Sequence, residues 1–545
     1  MPTLPGSEPT SLPPHPKEPG RWWDYTVAAA IFVAFLVWML GFHPFQRPIS
    51  RDSATWTYMS LEFAKGMVPH RDIFVHKTPG AAMLGAAGAW LAPRLGIAEP
   101  LAGVVAVWLL LGALGPALLY LICRPRMGLV AALAATAVMV SLDQWPVATF
   151  EAARPKVAMV TFGLAGLLAA ERRRAMLSGL FVGASMLCWQ PGLCFAGGAA
   201  WSLLTRPPTA EKREARKTSR LVGLARFVAG IAMPAVAFLC WLAFAGALGD
   251  FFAQTVGFNF EYVRLKAISP AATVGRLARI LSWWDPFECV LALLALGGLK
   301  AIRDRLPRGL LVAGIVYAAM IFVSFQGWPD TLPLLPAAAA VIAAGFVGLG
   351  RRLGLARVVP ALFLCTVAWT AARPANVRLH PLVSLHTQEQ FYRQLAANVA
   401  PGKPVIAISI PEFLIHNHMR SAWKYPYMWN HVDRFAAAEY GGFDGMFREL
   451  ERIDPVLIVL CRRWTGQGRQ LFESWAARRY LRREYAFYPY AWPIVVFRKP
   501  SSDSERQELR NRLSEHASPR IPQRLRPSYP DASPAPNVSA QDSNS

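Results

Sequence analysis

Apolar residues run in long blocks over most of the chain up to Ala372, rather than at the spacing of a soluble core; residues 127–142 and 226–248 are examples. A bilayer core asks for helices of about 17–25 mostly apolar residues. On that basis about eleven spans are expected, over residues 27–41, 101–122, 127–142, 157–170, 175–189, 191–204, 227–248, 287–299, 309–325, 331–349 and 358–372. The apolar run 80–91 is too short to cross; runs of about 10–14 residues are more often interfacial or re-entrant.

The basic residues then fix an orientation. Clusters follow every even-numbered span: Arg124 and Arg126; Arg172, Arg173 and Arg174; Arg206, Lys212, Arg213 and neighbours; Lys300, Arg303, Arg305 and Arg308; Arg351, Arg352 and Arg357. The short opposite loops at 189–191 and 326–330 carry no Lys or Arg. The positive-inside rule therefore places the N-terminus in the cytoplasm and the C-terminal region outside. Counting 80–91 as a full span would invert everything after it and put most Arg clusters outside. The outer face then receives five polar segments: 51–78, 143–156, 189–190, 250–285 and 326–330.

Beyond Arg373 the pattern changes. Residues 405–410, 456–460 and 494–497 read as short buried strands, with helices expected over 389–399, 446–453 and 471–479. The chain thus divides into a cytoplasmic tail (1–24), a multi-span region (25–373) with a functional outer loop at 44–79, an extracytoplasmic α/β domain (374–500), and a polar tail (501–545) expected to be disordered. The fold class expected is a polytopic α-helical membrane protein with a small α/β domain.

Composition agrees with a membrane chain: 54% hydrophobic, 17% charged, mean hydropathy +0.28. The net charge of +23 resides largely between apolar blocks, as basic loops beside anionic headgroups do, so nucleic acid is not expected as a partner. Of seven cysteines, only Cys461 lies outside the apolar region, and no CxxC metal signature is present. The polar, Pro-rich stretch 1–20 lacks the form of a cleavable signal peptide. There is no Walker A sequence, no GxGxxG after a strand, no HExxH and no GxSxG.

Chemistry concentrates on the outer segments. The first holds Arg51, Asp52, Tyr58, Glu62, Lys65, His70, Arg71, Asp72, His76 and Lys77. A solvated amphipathic face explains any one of these charges as well as function does. The mixture of acids and bases, however, is more than an anionic-lipid anchor needs, and Lys77-Thr78-Pro79-Gly80 would hold an ammonium group at headgroup depth. The second segment adds Asp143, Glu151, Arg154 and Lys156, where snorkelling accounts for some but not all of the charges. Gln190 and Asp330 sit in very short, otherwise apolar turns. The segment 250–262 interleaves aromatics with Gln254, Asn259 and Glu261, which suits a sugar or a prenyl chain, or an interfacial aromatic belt.

The string RDSATWTYMSLEFAKGMVPHRDIFVHKTPG, residues 51–80, resembles the first extracytoplasmic loop of bacterial GT-C fold glycosyltransferases, the group that includes protein O-mannosyltransferases and lipid A aminoarabinose transferases. The acidic residue before the fourth span, the Gln190-Pro191-Gly192 turn, the FFAQTVGFN segment and the Pro-Asp-x-x-Pro-x-x-Pro run from Pro329 are similar too. The resemblance implies Asp52 as catalytic base and Glu151 as second acid. It implies Lys77 on the phosphate of a polyprenyl-phosphate sugar, with Arg51, Arg71, His76 and Lys156 assisting, and Asp72, Tyr58, Gln190, Asn259 and Asp330 near the substrates. Ser53 in place of a second acid, and Trp189 where the family often has Lys, leave the donor sugar open and weaken any metal site built from paired acids. No cofactor is expected to be required; a divalent metal remains an open possibility of the resemblance. The activity implied is inverting sugar transfer from polyprenyl phosphate to a hydroxyl on a glycolipid, cell-wall glycan or protein, at the outer face of a bacterial cytoplasmic membrane. The alternative is a transporter or flippase of a lipid-linked saccharide. Transporters place polar sites near the bilayer midplane, whereas these polar residues gather at one face.

Overall fold

The structure is a computed structural model. It describes residues 21–49, 51–142, 144–205, 216–265, 306–324, 328–355, 384–428, 431–461, 467–485 and 494–515, with isolated positions between them. The helices of the membrane region are α1 (Arg21–Leu40), α2 (Arg51–Ala64), α3 (Gly80–Leu91), α4 (Pro100–Met127), α5 (Leu129–Ser141), α6 (Gln144–Phe150), α7 (Pro155–Glu171), α8 (Ala175–Cys188), α9 (Cys194–Thr205), α10 (Arg216–Phe244), α11 (Leu248–Phe251), α12 (Phe258–Leu265), α13 (Arg308–Ser324) and α14 (Leu335–Arg352). A π-helical turn, Phe252–Gly257, joins α11 to α12.

Each expected span among the described residues falls on a helix; those at 287–299 and 358–372 lie outside them. Length tells the spans apart. Four segments, 22–46, 100–127, 220–244 and 330–352, are long and apolar enough to cross a membrane, and α5 with α6 forms a fifth candidate bent by 61°. Helices α5, α8 and α9 have 13, 14 and 12 residues. At about 1.5 Å per residue they fall short of a hydrocarbon core of about 30 Å. The run 80–91 is a short helix, α3, that packs between α2 and α4.

Small residues set how closely the helices approach. A Cβ on Gly103 of α4 would lie 2.2 Å from the carbonyl oxygen of Gly88 in α3, and a Cβ on Gly88 would lie 2.4 Å from that of Gly103. Gly179 of α8 and Gly230 of α10 meet in the same manner. Backbone-to-backbone crossings of this kind let helices pack where apolar burial supplies little drive.

Beyond these helices the chain forms a four-stranded sheet of order β1-β2-β4-β3: β1 (Val405–Ile408), β2 (Leu457–Cys461), β3 (Leu481–Tyr485) and β4 (Ile494–Arg498). β1 and β2 are parallel, with Val405 opposite Leu457; β4 runs antiparallel to both β2 and β3. Around it lie α15 (Leu385–Ala396), α16 (Pro411–His416), α17 (Val432–Glu439), α18 (Phe443–Ile453) and α19 (Gln467–Ala477). Strand β3 escapes the sequence pattern because its run, Leu-Arg-Arg-Glu-Tyr, is half charged and lies at the sheet edge, where charge guards against unwanted pairing. The stretch from Asp503 to Glu515, expected to be disordered, forms a helix, α20. The carboxylate of Glu505 supports its first turn by accepting from the Ser501 backbone N–H at 2.7 Å.

The sheet region docks on the loops before and after α2. Gln388 accepts from Ile49 N at 3.0 Å and donates to Ile49 O at 3.1 Å. The Tyr58 hydroxyl accepts from Ser421 N at 2.9 Å, and Phe74 N donates to Lys424 O at 2.8 Å. Helix α16 packs along α2.

Candidate active site

Asp52 occupies the first turn of α2, where the unpaired backbone N–H groups of a helix start favour a negative charge. Its side chain is 47% exposed, and Arg154 reaches it at 3.3 Å. Arg154 is itself largely buried and is held on two sides. Its Nε donates to Glu151 Oε2 at 3.0 Å, and its carbonyl accepts from the Trp108 indole at 2.8 Å. One guanidinium therefore bridges the two acids singled out in the sequence, its Nε and Nη2 donating to Glu151 Oε2 and its Nη1 to Asp52 Oδ2.

Beside this triad lies a second charge group. Lys156, in the first turn of α7, pairs with Asp330 at 2.5 Å. Its Nζ lies 4.4 Å from the centre of the Trp189 ring, and Lys77 Nζ lies 5.4 Å from the same centre. An indole face attracts cations, so Trp189 gathers both ammonium groups in the absence of a third lysine. No carboxylate lies within ion-pair distance of Lys77 among the described residues. Burial first, then repulsion from Lys156, bring its amine from the ordinary 10.5 down to about 8; Asp330 and Asp52 act in the opposite sense.

The loop bearing Lys77 is pinned at several points. Gln254, in the π-helical turn, accepts from Val75 N at 3.0 Å and donates to His70 O at 2.7 Å. Asn259 donates to His76 O at 2.6 Å. Thr78 donates to Met186 O at 2.9 Å at the end of α8. A Cβ on Gly80 would lie 2.6 Å from Leu187 O, so only glycine lets α3 start this close to α8. π-Helical turns are frequent at functional positions; here the turn aims an amide at the loop backbone.

The remaining sequence candidates are placed elsewhere. Arg71 pairs with its neighbour Asp72 and donates to Ala245 O at 2.9 Å, while Asp72 also accepts from Val68 N at 2.8 Å. This pair braces the loop against the end of α10. The His76 ring bonds the Tyr427 hydroxyl and lies beside Phe74 and Phe258. Burial holds its imidazole pKa well below 6.5, so the ring is neutral near pH 7. Tyr58 is buried and directed at Ser421. Gln190 opens the short 3-10 turn after α8, next to Trp189. Arg51 starts α2, and Asp143 lies outside the described residues. Arg154 and Trp189 carry no role in the sequence reading. Arg154 stands there as one charge of the second outer segment, and Trp189 as a departure from a family pattern; their positions give them their parts. Among the described residues no three His, Cys, Asp or Glu side chains come together to hold a metal ion.

Neither a protein-family model nor a curated protein matches the sequence. Solved structures do match. The crystal structure of ArnT from Cupriavidus metallidurans in the apo state superposes with a TM-score of 0.54 at 15% identity, covering 87% of this chain and 98% of that one. The fold is that of the GT-C membrane glycosyltransferases. A second structure of the same protein, bound to undecaprenyl phosphate, gives a TM-score of 0.53 at 14% identity over 89% of this chain and 99% of that one.

Proposed function

We propose that this protein is a glycosyltransferase that moves a sugar from a polyprenyl-phosphate donor to a hydroxyl acceptor at the outer face of a bacterial cytoplasmic membrane. The observation carrying the proposal is Lys77: a partly buried ammonium with no carboxylate at ion-pair distance among the described residues, set beside an acid on an arginine. Such a cation is stabilised by an incoming phosphate. The GT-C fold and the undecaprenyl phosphate bound by the similar ArnT support the same reading.

The chemistry follows from the arrangement. Lys77 and Lys156 neutralise charge that builds on the phosphate oxygen as its bond to the anomeric carbon breaks. The acceptor oxygen attacks that carbon from the opposite side, giving inversion, and its proton passes to the exposed carboxylate of Asp52. Arg154 orients Asp52 and shares it with Glu151. Asp330 restrains Lys156, leaving Lys77 as the cation most available to the donor. The residues for donor phosphate are thus Lys77 and Lys156, with Arg51 adjacent in sequence to the base. Arg71, Asp72, Tyr58 and Asn259 shape the loop, and Gln190 flanks the Trp189 platform.

The test uses wild type and Asp52→Asn in nanodiscs, supplied with a panel of polyprenyl-phosphate sugars and membrane extract as acceptor source. Release of polyprenyl phosphate, followed by mass spectrometry, is expected from wild type only, and the active donor names the sugar. Equal release by a well-folded Asp52→Asn would remove Asp52 from the role of base. Movement of lipid-linked sugar across proteoliposomes without any release would make the protein a transporter.

A further inference from the structure

A cavity of about 410 Å³ lies where α2, the ends of α3 and α6, and the start of α4 meet helices α15 and α16 of the sheet region. Arg47 lines it and is 8% exposed. Its Nε and Nη2 are buried and have no hydrogen-bond partner among the described residues. Its guanidinium lies 4.3 Å from the centre of the Phe150 ring, also on the wall. An aromatic face attracts the charge but offers nothing to satisfy five N–H donors. A buried cation left in that condition is costly to the fold. Glu151 acts on Arg47 through space, but its Oε2 is engaged by Arg154. A neighbouring acid and base in the wall, Glu62 of α2 and Lys65 just beyond it, neutralise each other at 2.7 Å.

The position of Arg47 is not that of a loose loop. The clamp of Gln388 on both backbone groups of Ile49 fixes the chain two residues on, and His416 lies 3.0 Å from the same amide oxygen. The rest of the wall is largely apolar, with Leu61, Trp90, Leu101 and Val105; its other charges are Arg94, Glu99 and Glu389, the last paired with Arg393 at 2.5 Å. Next to it, the corner between α3 and α4 exposes Leu91, Leu95 and Ile97, a surface suited to lipid. The cavity thus has a largely apolar side next to this exposed corner, Arg47 at its inner corner, and Glu151 as its border with the Asp52–Arg154 cluster.

We propose that this cavity is the acceptor site and that it takes an amphiphile with an anionic head, a phosphate or carboxylate paired with Arg47, its apolar part lying along Trp90 and Leu101. The assignment as acceptor rests on the transferase reading above; the binding of an anionic amphiphile does not. Arg47 supplies the charge complement, and Glu151 lies between that anchor and the base, so an acceptor hydroxyl a short distance from its own anionic group is carried toward Asp52. The sheet region closes the cavity, which gives its docking on α2 a part in substrate choice.

The experiment uses the full chain in detergent with native mass spectrometry. Dodecyl phosphate, dodecanol and inorganic phosphate are the probes. Dodecyl phosphate is expected to bind wild type. Arg47→Met should weaken it by at least about tenfold, as loss of a charge-assisted contact does, and Arg47→Lys should recover part of the loss. Lys77→Met, which removes the donor cation, should leave the Arg47-dependent binding in place. Undiminished binding to Arg47→Met with a wild-type melting temperature overturns the proposal. Equal affinity for inorganic phosphate overturns the amphiphile and leaves only a free-anion site. Should Arg47→Met fail to fold, a diazirine-bearing dodecyl phosphate on wild type decides the matter. Labelling of peptides holding Trp90 or Phe150 supports the site, and labelling confined to other helices refutes it. Polyprenyl phosphate release is read separately. Its absence beside Arg47-dependent binding would overturn the acceptor role while the binding site stands.

Discussion

The proposed function makes Lys77 a group arranged for a ligand at the expense of the unliganded protein, and this has a measurable consequence. Burial and Lys156 bring its amine from 10.5 to about 8. At about 1.4 kcal/mol per pH unit, that depression amounts to about 3 kcal/mol against the charged form in the folded state. A cation–π contact with Trp189 returns part of it, about 0.5–1 kcal/mol at a partly exposed position. Lys77→Met keeps the side-chain length and removes the charge, so it should stabilise the unliganded protein by about 2 kcal/mol, a rise of a few degrees in apparent Tm. The sign can be checked by pH. Between about 8 and 10.5 the unfolded chain keeps the Lys77 proton and the folded chain has lost it, so wild-type stability from this group rises with pH across that window. The gain of Lys77→Met should therefore be full below pH 8 and vanish by about pH 10.5. Thermal unfolding in detergent at pH 7.5 and pH 10 measures both, alongside a transferase assay in which the variant should be nearly inactive. A lower Tm for Lys77→Met at pH 7.5, or a gain independent of pH, would show that the amine is a structural group and refute the argument.

The same titration predicts that kcat/KM for the donor falls as pH rises past about 8, because the free enzyme loses the Lys77 charge there; a flat profile to pH 9.5 would contradict it. Asp52→Asn should lower turnover by about 10²–10⁴-fold with little change in Tm, since its carboxylate is largely exposed; both are read on one preparation. Gln254→Leu strips the bonds to Val75 N and His70 O, each buried group left unpaired costing about 1–3 kcal/mol. It should raise the donor KM more than it lowers kcat, which steady-state kinetics separates. Gly103→Val forces a side chain into the Gly88 backbone and should destabilise the protein by at least about 1–3 kcal/mol, seen as a lower Tm in detergent.

Much of this was legible before any coordinates. The apolar blocks mark where helices lie because a bilayer imposes the same demand along the whole block, and among the described residues each expected span coincides with a helix. The number of crossings was less legible: α5, α8 and α9 are apolar yet short, and hydropathy does not record whether a short helix crosses alone or with its neighbour. Asp52, Glu151, Lys77, Lys156 and Asp330 were each visible as ionisable groups on segments expected at the outer face. Their pairing was not, since Asp52 and Arg154 are about a hundred residues apart and Lys156 and Asp330 farther still. The surroundings of His76 and Arg71 were not legible either: both are basic in sequence, but burial leaves one neutral and Asp72 engages the other. Arg47 was unreadable, because a lone arginine after a span is ordinary until its surroundings prove to be a cavity in which its Nε and Nη2 are buried.

The cluster also explains why its charges do not simply cancel. Arg154 faces Asp52 and Glu151; Lys156 faces Asp330; Lys77 faces the face of an indole. Two cations are matched by three carboxylates and one is matched by none, so the empty site is near neutral as a whole and uneven within. The excess of acid lies at the solvent side with Asp52, and the excess of base lies deeper, at Lys77. A donor phosphate and an acceptor hydroxyl call for that polarity, with cation toward the leaving group and carboxylate toward the nucleophile. Binding the phosphate at Lys77 relieves the deeper imbalance and so raises the amine back toward its ordinary value, which couples donor binding to proton uptake above about pH 8. Donor titrations by calorimetry in two buffers of different ionisation enthalpy, at pH 8.5, should therefore show net proton uptake in wild type and none in Lys77→Met. The same heats in both buffers for wild type would mean that Lys77 stays charged without donor, and the unevenness described here would not be what recruits the phosphate.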